Sequence, residues 1–310
     1  MKPVAFDYFD PTTVEEALAL LRTHGEGAKA LAGGQSLVPL MNFRLARPQA
    51  LIDLNRVATL DYVRAADGML AIGALTRQHA VEFSADVRAR CPLLAEAVPF
   101  IGHAAIRSRG TVGGSVAHAD PAAELPTVVA ALEGTLVARG PGGERTIAAR
   151  DFFVSYLTTA LAPDELLVEV RLPVAPPRTG AAFVEVSRRH GDFALVAAAA
   201  QVTLAADGVC ERVALALGGV GAVPFAAGED ARRLVGETPT EGAYEEIGRR
   251  VAARVEPDSD LHASAAYRTD VAAVLTRRAL AQAVERARAV VRAMAAAPAA
   301  RANRARGTGR

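Results

Sequence analysis

The first half of the chain alternates between segments with the apolar spacing of helices and segments with the apolar runs of strands. In DPTTVEEALALLRTHGEG, Leu18 and Leu21 belong to one apolar stripe. Thr13 and Glu16 form a capping box, and Gly25 is a natural helix stop. The pattern therefore predicts a helix between Thr13 and Gly25. The short apolar run AKAL that follows predicts a strand.

Two later segments have the pattern of β-hairpins. DYVRAADGMLAIGAL places apolar residues on both sides of Asp67-Gly68, a dipeptide typical of a two-residue turn. TLVARGPGGERTIAARDFF has a comparable turn at residues 140–143. The other elements predicted in this half are a strand at 50–57, a helical region at 76–102 broken near Pro92, and a helix from Pro121 to Gly134.

The second half begins after RLPVAPPRTG, which has three prolines, no apolar period and the character of a linker. Three strand-like segments follow, AAFVEVSRR, FALVAAAAQVTL and VCERVALALGGV, and they predict an antiparallel sheet. Helical spacing then covers 230–234, 241–254 and 267–294. The Ala/Arg-rich segment 295–310 contains no acidic residue and is predicted to be disordered.

Composition narrows the class of protein. A length of 310 residues suggests about two domains, and 51% hydrophobic with 22% charged residues is typical of a globular chain. The net charge of +1 gives no reason to expect a nucleic-acid partner. No apolar run approaches the roughly 20 residues of a membrane span, and Pro and Asp interrupt the N-terminus too early for a signal peptide. These features predict a cytoplasmic protein.

The cysteine content excludes ordinary metal centres within the chain. Cys91 and Cys210 are far apart, and the sequence has no CxxC and no close pair of histidines. An iron–sulfur cluster needs about four thiolates, and structural zinc needs clustered Cys and His. We therefore expect no metal site, and a disulfide is disfavoured in a reducing compartment.

Two segments contain a pair of adjacent glycines beside hydroxyl side chains. Gly33-Gly34 lies in ALAGGQSLVPLM, and Gly113-Gly114 lies in SRGTVGGSVAHADPAAELP. Glycine tolerates positive φ and allows a backbone to approach a ligand, and consecutive amides in such turns hold phosphate oxygens. Two such turns suit a diphosphate, one phosphate each; the alternative is a pair of tight structural turns. The neighbouring hydroxyl donors are Ser36, Thr111 and Ser115.

Other nucleotide-binding signatures are missing from the sequence. No GxGxxG follows a predicted strand, and GGVGAVP lacks both a third glycine and a following helix signature. The only lysines, Lys2 and Lys29, do not lie in a GK[ST] motif, so a Walker P-loop is excluded.

The residues around the glycine pairs resemble the FAD-binding loops of a known family. AGGQSLVPLMNFRLARP and IRSRGTVGGSVAHADPAAELP are similar to those loops in the medium, flavoprotein subunit of molybdenum hydroxylases. Aerobic carbon monoxide dehydrogenase and prokaryotic xanthine dehydrogenase contain such subunits. SRRHGDFALVAAA, GGVGAVPFAAGEDA and YRTDVAAVLTRRAL resemble the family's C-terminal domain, so the resemblance extends over nearly the whole chain.

The resemblance implies an α+β fold with two domains. Residues 1–175 would form a two-subdomain FAD-binding domain of the vanillyl-alcohol oxidase (PCMH) type. Residues 176–294 would form a smaller domain of antiparallel sheet and helices, of the carbon monoxide dehydrogenase flavoprotein type. The predicted disordered tail, 295–310, would follow.

The resemblance also implies which residues contact FAD. Each glycine segment would hold one part of the diphosphate, while Ile101 and Glu124 would line the adenosine or ribityl portion. Leu161 would lie near the isoalloxazine, and Asp192 with Phe193 would form a turn close to the flavin ring. The expected cofactor-binding residues are Ala32, Gly33, Gly34, Gln35, Ser36, Leu37, Ile101, Thr111, Val112, Gly113, Gly114, Ser115, Asp120, Glu124, Leu161, Asp192 and Phe193.

Three of these positions depart from the family pattern. Gln35 stands where relatives often carry His or Thr, and Ser115 stands where Asn is common. Phe193 stands where Tyr is frequent, which leaves open any role that needs a phenolic hydroxyl.

No residue is predicted to be catalytic. His118 and Asp120 could suggest a dyad, but no nucleophile motif accompanies them, and we expect this segment to shape the loop near the cofactor. His190 is expected to be an ordinary surface residue. Arg107 and Arg109 could offset the diphosphate charge or form surface ion pairs, and the sequence leaves both alternatives open.

The function implied by the resemblance is electron transfer within a larger assembly. Electrons would pass from [2Fe–2S] clusters of a small partner subunit through FAD to an external acceptor such as a quinone, NAD or oxygen. A large partner subunit would hold the molybdenum–pterin cofactor and the substrate. The expected assembly is a dimer of heterotrimers, which allows peripheral association of the complex with a membrane.

Two alternatives remain open from the sequence. One is a stand-alone flavin-dependent reductase of the same fold, which would reduce its flavin directly with NADPH or a small substrate. The other is a non-catalytic nucleotide-binding or scaffolding module, which would be colourless and would not respond to FAD.

Overall fold

The chain begins with a small parallel sheet in the computed structural model, which describes the backbone of residues 2–307 and the side chains of residues 2–296. Its strand order is β1-β3-β2, and both strand pairs are parallel. Apolar residues of the first helix cover one face of this sheet, and the helix ends at Gly25, where φ is +54°. The elements are β1 Asp7–Phe9, α1 Val14–His24, β2 Ala28–Leu31, α2 Leu37–Asn42 and β3 Ala50–Asp53.

The capping box predicted for α1 is present in a shifted form. Thr13 Oγ1 accepts a hydrogen bond from the backbone N–H of Glu16 at 3.1 Å, as predicted. The Glu16 carboxylate accepts from the N–H of Thr12 at 2.8 Å, one residue before the cap. These bonds hold the pKa of Glu16 below its usual value.

A second, antiparallel sheet of five strands completes the N-terminal domain, in the order β4-β5-β10-β6-β7. Both predicted hairpins are confirmed, and Asp67 and Gly68 have the positive φ values, +51° and +74°, that the first turn requires. The elements are β4 Val63–Ala66, β5 Met69–Gly73, α3 Gln78–Phe83, α4 Ala85–Arg90, α5 Pro92–Ala97, α6 Ala104–Arg107, α7 Val112–His118, α8 Glu124–Ala131, β6 Thr135–Gly140, β7 Gly143–Ala148, α9 Ala149–Phe152, β8 Phe153–Ser155, β9 Thr158–Thr159 and β10 Leu166–Pro173.

The C-terminal domain is a four-stranded antiparallel sheet with helices on one face. The predicted three strands are confirmed, and a short fourth strand joins them at the edge. The proline-rich linker is shorter than predicted, because β10 continues to Pro173 and leaves residues 174–178 as the connection. The elements are β11 Thr179–Ser187, β12 Ala194–Leu204, β13 Cys210–Gly218, β14 Phe225–Ala226, α10 Gly228–Ala231, α11 Glu241–Ala252 and α12 Ala265–Gly307.

The central strand β12 is buried on both faces. Ala197 and Ala199 pack against the N-terminal domain, whereas Val196 and Ala198 pack against α11 and α12. A strand covered on both sides needs a continuous apolar run, which explains the sequence FALVAAAAQVTL. The small side chains allow close approach, and a Cβ at Gly180 would overlap the backbone of α12 at Ala283.

The last helix is longer than the sequence predicts. The spacing predicts an end near Met294, but α12 continues to Gly307 and so covers most of the segment 295–310. Disorder of that segment stays a prediction, and residues 308–310 lie outside the described part of the chain. Among the described residues, no helix combines the length and the apolar character needed to cross a bilayer.

Candidate functional site

The first glycine pair forms the connection between β2 and α2. Gly34 has φ of +72°, which a residue with a side chain adopts at a cost. Gly33 lies directly against another segment of backbone, and a Cβ there would overlap the carbonyl oxygen of Arg109 and the Cα of Gly110. Gln35 folds back over this turn, and its Nε2 donates to the carbonyl oxygen of Gly33 at 3.0 Å. The first glycine turn is therefore confirmed.

The second glycine pair lies in a helix, which corrects the prediction of a turn. Thr111 caps α7, and its Oγ1 accepts from the N–H of Gly114 at 3.0 Å. Gly113 is in the first helical turn and packs against the end of β5, where a Cβ would lie 2.6 Å from the Cα of Ala74. Adjacent glycines are typical of a turn, but here their lack of side chains lets the start of α7 pack against the end of β5. The N–H groups of Val112 and Gly113 donate to the carbonyl oxygens of Thr76 and Ala74, at 3.0 and 2.9 Å.

The structure brings the two glycine segments together. Gly33 touches the residues that lead into α7, and a Cβ on Gly114 would lie 3.4 Å from the Ala32 methyl. A cleft of about 310 Å³ opens beside the first segment and includes Arg109 from the approach to the second. Its lining residues are Leu31, Ala32, Gly33, Gly34, Gln35, Val38, Pro39, Asp53, Asn55 and Arg109.

A polar network behind the cleft was not identified from the sequence. Asn55 Nδ2 donates to the carbonyl oxygen of Ala32 at 2.9 Å, and Asn55 Oδ1 accepts from Arg77 at 2.5 Å. Arg77 also donates to the carbonyl oxygen of Arg109, so Arg77 and Asn55 together link the two segments. Burial lowers the pKa of Arg77, and the charge of Arg109 lowers it further. A signal was present in the sequence, because LIDLNR places polar residues directly after a buried strand.

The two arginines whose roles were open have different environments. Arg107 is buried and forms a two-pronged ion pair with Glu82, with Nε–Oε2 at 2.8 Å and Nη2–Oε1 at 3.1 Å. Its guanidinium also donates to the carbonyl oxygen of Ile101 at 2.9 Å, so it has a structural role. Arg109 lines the cleft, and among the described side chains it has no ion pair. The cation available to an anionic ligand is therefore Arg109.

The remaining expected contacts of the N-terminal domain lie outside the lining of this cleft. Ile101 follows a short 3₁₀ helix and is buried, and Leu161 packs partly against the same apolar core. Asp120 accepts from the N–H of Ala122 at 2.9 Å in the segment that leads into α8. Ser36, Leu37 and residues 111–115 are likewise not among the residues that line the cleft.

Glu124 opens α8 and is only 6% exposed. Burial raises the pKa of Glu124 to about 7, and the nearby charge of Asp120 adds to the shift. Glu185 on β11 is a related group that the sequence did not indicate. Its Oε2 is buried without a hydrogen-bond partner, and burial together with Glu124 raises its pKa to about 8. Two carboxyls with raised pKa values therefore lie where the two domains meet.

The GDF turn projects from the C-terminal domain toward the N-terminal domain. Gly191 has φ of +87°, and a Cβ there would meet the ring of His103. The rings of His103 and His190 have centroids 6.0 Å apart. The Phe193 side chain is 64% exposed. From the sequence alone, a phenylalanine beside this apolar run would be expected in the core. Asp192 is also exposed, so both side chains are accessible to a ligand.

Comparison with known proteins assigns both parts of the chain. Residues 4–175 match the family model described as "FAD binding domain in molybdopterin dehydrogenase". Residues 181–283 match the model described as "CO dehydrogenase flavoprotein C-terminal domain".

Individual relatives agree with this assignment over nearly their whole length. The chain is 43% identical over 288 residues to the 6-hydroxypseudooxynicotine dehydrogenase complex subunit alpha of Paenarthrobacter nicotinovorans, covering 93% of this chain and 97% of that protein. It is 38% identical to the carbon monoxide dehydrogenase medium chain of Afipia carboxidovorans, covering 93% and 100%. The structure superimposes on a chain of reconstituted CO dehydrogenase from Oligotropha carboxidovorans with a TM-score of 0.90 and 37% identity, covering 92% of this chain and 100% of the other.

Proposed function

Since the chain belongs to the family of FAD-binding medium subunits of molybdenum hydroxylases, we propose that it passes electrons from [2Fe–2S] clusters of a partner subunit through FAD to an external acceptor. The family assignment makes the chain an oxidoreductase subunit with an FAD-binding domain. When bound, the flavin supplies the redox chemistry, and the protein binds and orients it.

One observation carries this proposal: the contact between the two glycine segments at Gly33 and Gly110. It places the backbone of the first segment and the guanidinium of Arg109, from the approach to the second, beside one cleft. A diphosphate has two anionic groups that need such donors, so the residues present fit FAD. The network of Asn55 and Arg77 holds the two segments in register.

The proposed contacts follow from this arrangement. Ala32 to Ser36 and Thr111 to Ser115 would hold the diphosphate, with Leu37 behind the first segment. Ile101, Asp120 and Glu124 would lie along the adenosine or ribityl portion. Leu161, Asp192 and Phe193 would lie beside the ring system, where an exposed phenylalanine gains an apolar contact.

The metal centres are assigned by this proposal to partner subunits. Cys91 and Cys210 are both buried, and burial raises their pKa values to about 12 and about 11, which disfavours the thiolate form that iron needs. A large molybdenum–pterin subunit and a small iron–sulfur subunit would complete a dimer of heterotrimers in the cytoplasm. Any contact with a membrane would be made by that assembly.

The test compares FAD binding by the wild-type chain with FAD binding by Arg109→Met. We expect the purified chain, alone or co-expressed with its partners, to release about one FAD per chain. Loss of a charged hydrogen-bond donor should weaken FAD binding at least about tenfold, measured by titration of the flavin-free protein. Arg150→Met, at an exposed arginine outside the cleft, is the matched control and should leave the affinity unchanged.

Three outcomes would contradict parts of the proposal. A colourless protein that cannot take up FAD would favour the scaffold alternative. A chain that reduces its own flavin with NADPH, without partners, would favour a stand-alone reductase. Co-expressed protein with flavin but without iron–sulfur absorbance or molybdenum would contradict the assignment of partners.

A further inference from the structure

Arg268 is a buried cation of the C-terminal domain outside the cleft described above. It lies in the first turn of α12 and is 8% exposed. Its Nη1 donates to the carbonyl oxygen of Leu195 and, at 3.2 Å, to that of Gly219. Its Nη2 donates to Asp260 Oδ2 at 2.8 Å. One guanidinium therefore joins three separate segments of the domain.

Two of these segments face the N-terminal domain. Leu195 follows the GDF turn, only two residues after Phe193. Gly219 begins the turn after β13, has φ of +74°, and donates its N–H to the carbonyl oxygen of Pro121 at 2.8 Å. Pro121 precedes Glu124 in the segment that opens α8. Arg268 thus fixes the base of the GDF turn relative to the N-terminal domain.

The third segment extends this connection to a hairpin of the N-terminal domain. Asp260 lies in the segment between α11 and α12, and its Oδ1 accepts from the N–H groups of His262 and Ala263 at 2.8 and 2.9 Å. Asp258 in the same segment accepts from the hydroxyl of Tyr156 at 2.7 Å, in the hairpin of β8 and β9. This segment therefore links Arg268 to the hairpin just before Leu161.

We propose that Arg268 is a positioning residue for the flavin ring, acting through the GDF turn and through the segment that carries Asp258 and Asp260. The inference rests on the proposed function, because it assumes that Phe193 lies beside a bound flavin. Arg268 itself does not touch the cofactor in this proposal. It holds Leu195 and Gly219 so that Phe193 presents its exposed ring at one fixed place.

The geometry requires arginine at this position. A guanidinium is planar and presents several donors in a rigid fork, so it bonds to two carbonyl oxygens and one carboxylate at once. The compact ammonium of lysine does not span three acceptors in that arrangement. Asp260 balances the buried charge, and its own pKa is lowered to about 2 by the two backbone N–H groups first and by Arg268 second.

The same helix offers a matched control for a substitution at Arg268. Arg286 on α12 also joins a carboxylate and a backbone carbonyl, with Nη1 donating to Glu96 Oε2 at 2.7 Å and to the carbonyl oxygen of Ala181. Its acceptors lie away from the GDF turn, with Glu96 on α5 and Ala181 in the N-terminal half of β11. Arg268→Lys and Arg286→Lys therefore each disturb a guanidinium that joins a carboxylate to a backbone carbonyl, at a buried position and at a half-exposed position respectively.

The experiment compares these two variants in the FAD-loaded chain, purified with its partners where they are needed for stability. We expect both to lower the unfolding temperature, and Arg268→Lys to lower it more because its guanidinium is buried. Only Arg268→Lys should alter the visible circular dichroism of the bound flavin and shift its reduction potential, and it should weaken FAD binding about tenfold. Equal flavin spectra, potentials and affinities in the two variants would overturn the inference.

A second variant keeps the test decisive if Arg268→Lys fails to fold. Asp260→Asn changes a partly exposed side chain, keeps an oxygen for the backbone N–H groups and removes the charge facing Arg268. It should produce the same spectral change in smaller measure, and a wild-type spectrum and potential would contradict the inference. Absence of FAD from the wild-type chain would instead contradict the proposed function, so the two failures are distinguishable.

Discussion

At the scale of single residues, the candidate site depends on positions where the chain tolerates only one kind of side chain. Gly33 has no room for a Cβ because the backbone of Arg109 occupies that space. Arg77 supports the same contact by bonding to Arg109 directly and, through Asn55, to Ala32. Glu185, unlike Arg77, has a buried side-chain oxygen without a hydrogen-bond partner, and this makes the stability of the folded state depend on pH.

Glu185→Gln is predicted to change the pH dependence of stability. The pKa of Glu185 is raised from 4.5 to about 8 in the folded chain, so the folded state holds more protons than the unfolded state between these values. The free energy of unfolding of the wild type should therefore fall as pH rises from 4.5 through about 8. The variant lacks this decline. At pH 9 its free energy of unfolding should exceed that of the wild type by about 1–3 kcal/mol, after allowance for the partial exposure of Glu185.

Denaturant unfolding of both proteins at pH 5, 7 and 9 measures this effect. The two should have similar stability at pH 5, where the carboxyl is mostly protonated in the folded state. Glu144→Gln, at an exposed position on β7, is the control and should follow the wild type at each pH. Parallel wild-type and Glu185→Gln curves would contradict the prediction.

At the scale of elements, α7 is a short helix whose start is fixed by one side chain and two glycines. The Thr111 hydroxyl satisfies the N–H of Gly114, and Gly113 allows the helix to touch β5. Glycine costs helical stability, so the capping bond matters more here than in an alanine-rich helix. The position of this helix start beside Ala32 depends on that bond.

Thr111→Val is predicted to weaken both stability and FAD binding. Loss of the capping hydroxyl should cost about 1 kcal/mol of unfolding free energy. The matched control is Thr240→Val, because Thr240 caps α11 with the same kind of bond, from Ala243 N–H to Oγ1 at 3.3 Å. Both variants should lose similar stability in thermal unfolding, and only Thr111→Val should lose FAD affinity in a titration. Equal FAD affinities would show that this cap has no part in the site.

The elements that the sequence predicts correctly are those with local signals. Thr13 and Gly25 mark α1 within one turn of its ends, and Asp67-Gly68 determines its hairpin without help from distant residues. The sequence does not predict α7, because Gly113 is required by a close contact with Ala74. That residue is remote in sequence, so no local pattern indicates the contact.

The candidate site also combines features with local sequence signals and features that depend on distant residues. The glycine segments and the family resemblance indicate where FAD binds, since they are recognisable within short stretches of sequence. The network of Asn55 and Arg77 could not be predicted, because its bonds join residues more than twenty positions apart. The burial of Glu185 depends on how the two domains pack, and no local pattern encodes it.

At the scale of the whole molecule, the two domains share one apolar core. Phe183 of β11 packs against Phe100 of the N-terminal domain, with ring centroids 5.4 Å apart. Ala197, Ala199 and Ala216 of the C-terminal sheet belong to the same buried cluster as α5 and α8. Domains joined in this way should unfold together, which keeps the GDF turn at a fixed place relative to the N-terminal domain.

Phe183→Ala is predicted to destabilise both domains at once. Removal of this buried ring should lower the free energy of unfolding by about 3–5 kcal/mol. It should also lower the temperature of the single unfolding transition measured by calorimetry. Phe43→Ala is the control, because Phe43 is 65% exposed and its loss should have little effect. Two separate transitions in the variant, with only one shifted, would contradict a shared core.

The position of α12 at the end of the chain has a consequence for how the protein is made. The N-terminal domain leaves the ribosome first, with the faces of α5 and α8 uncovered. At about 5–20 residues per second, roughly 5–20 s pass before Arg268 and its helix are synthesised. The face of the C-terminal sheet that α12 covers stays exposed until then. The contacts of Arg268 with Leu195 and Gly219 should therefore form only after the residues that line the cleft have been synthesised.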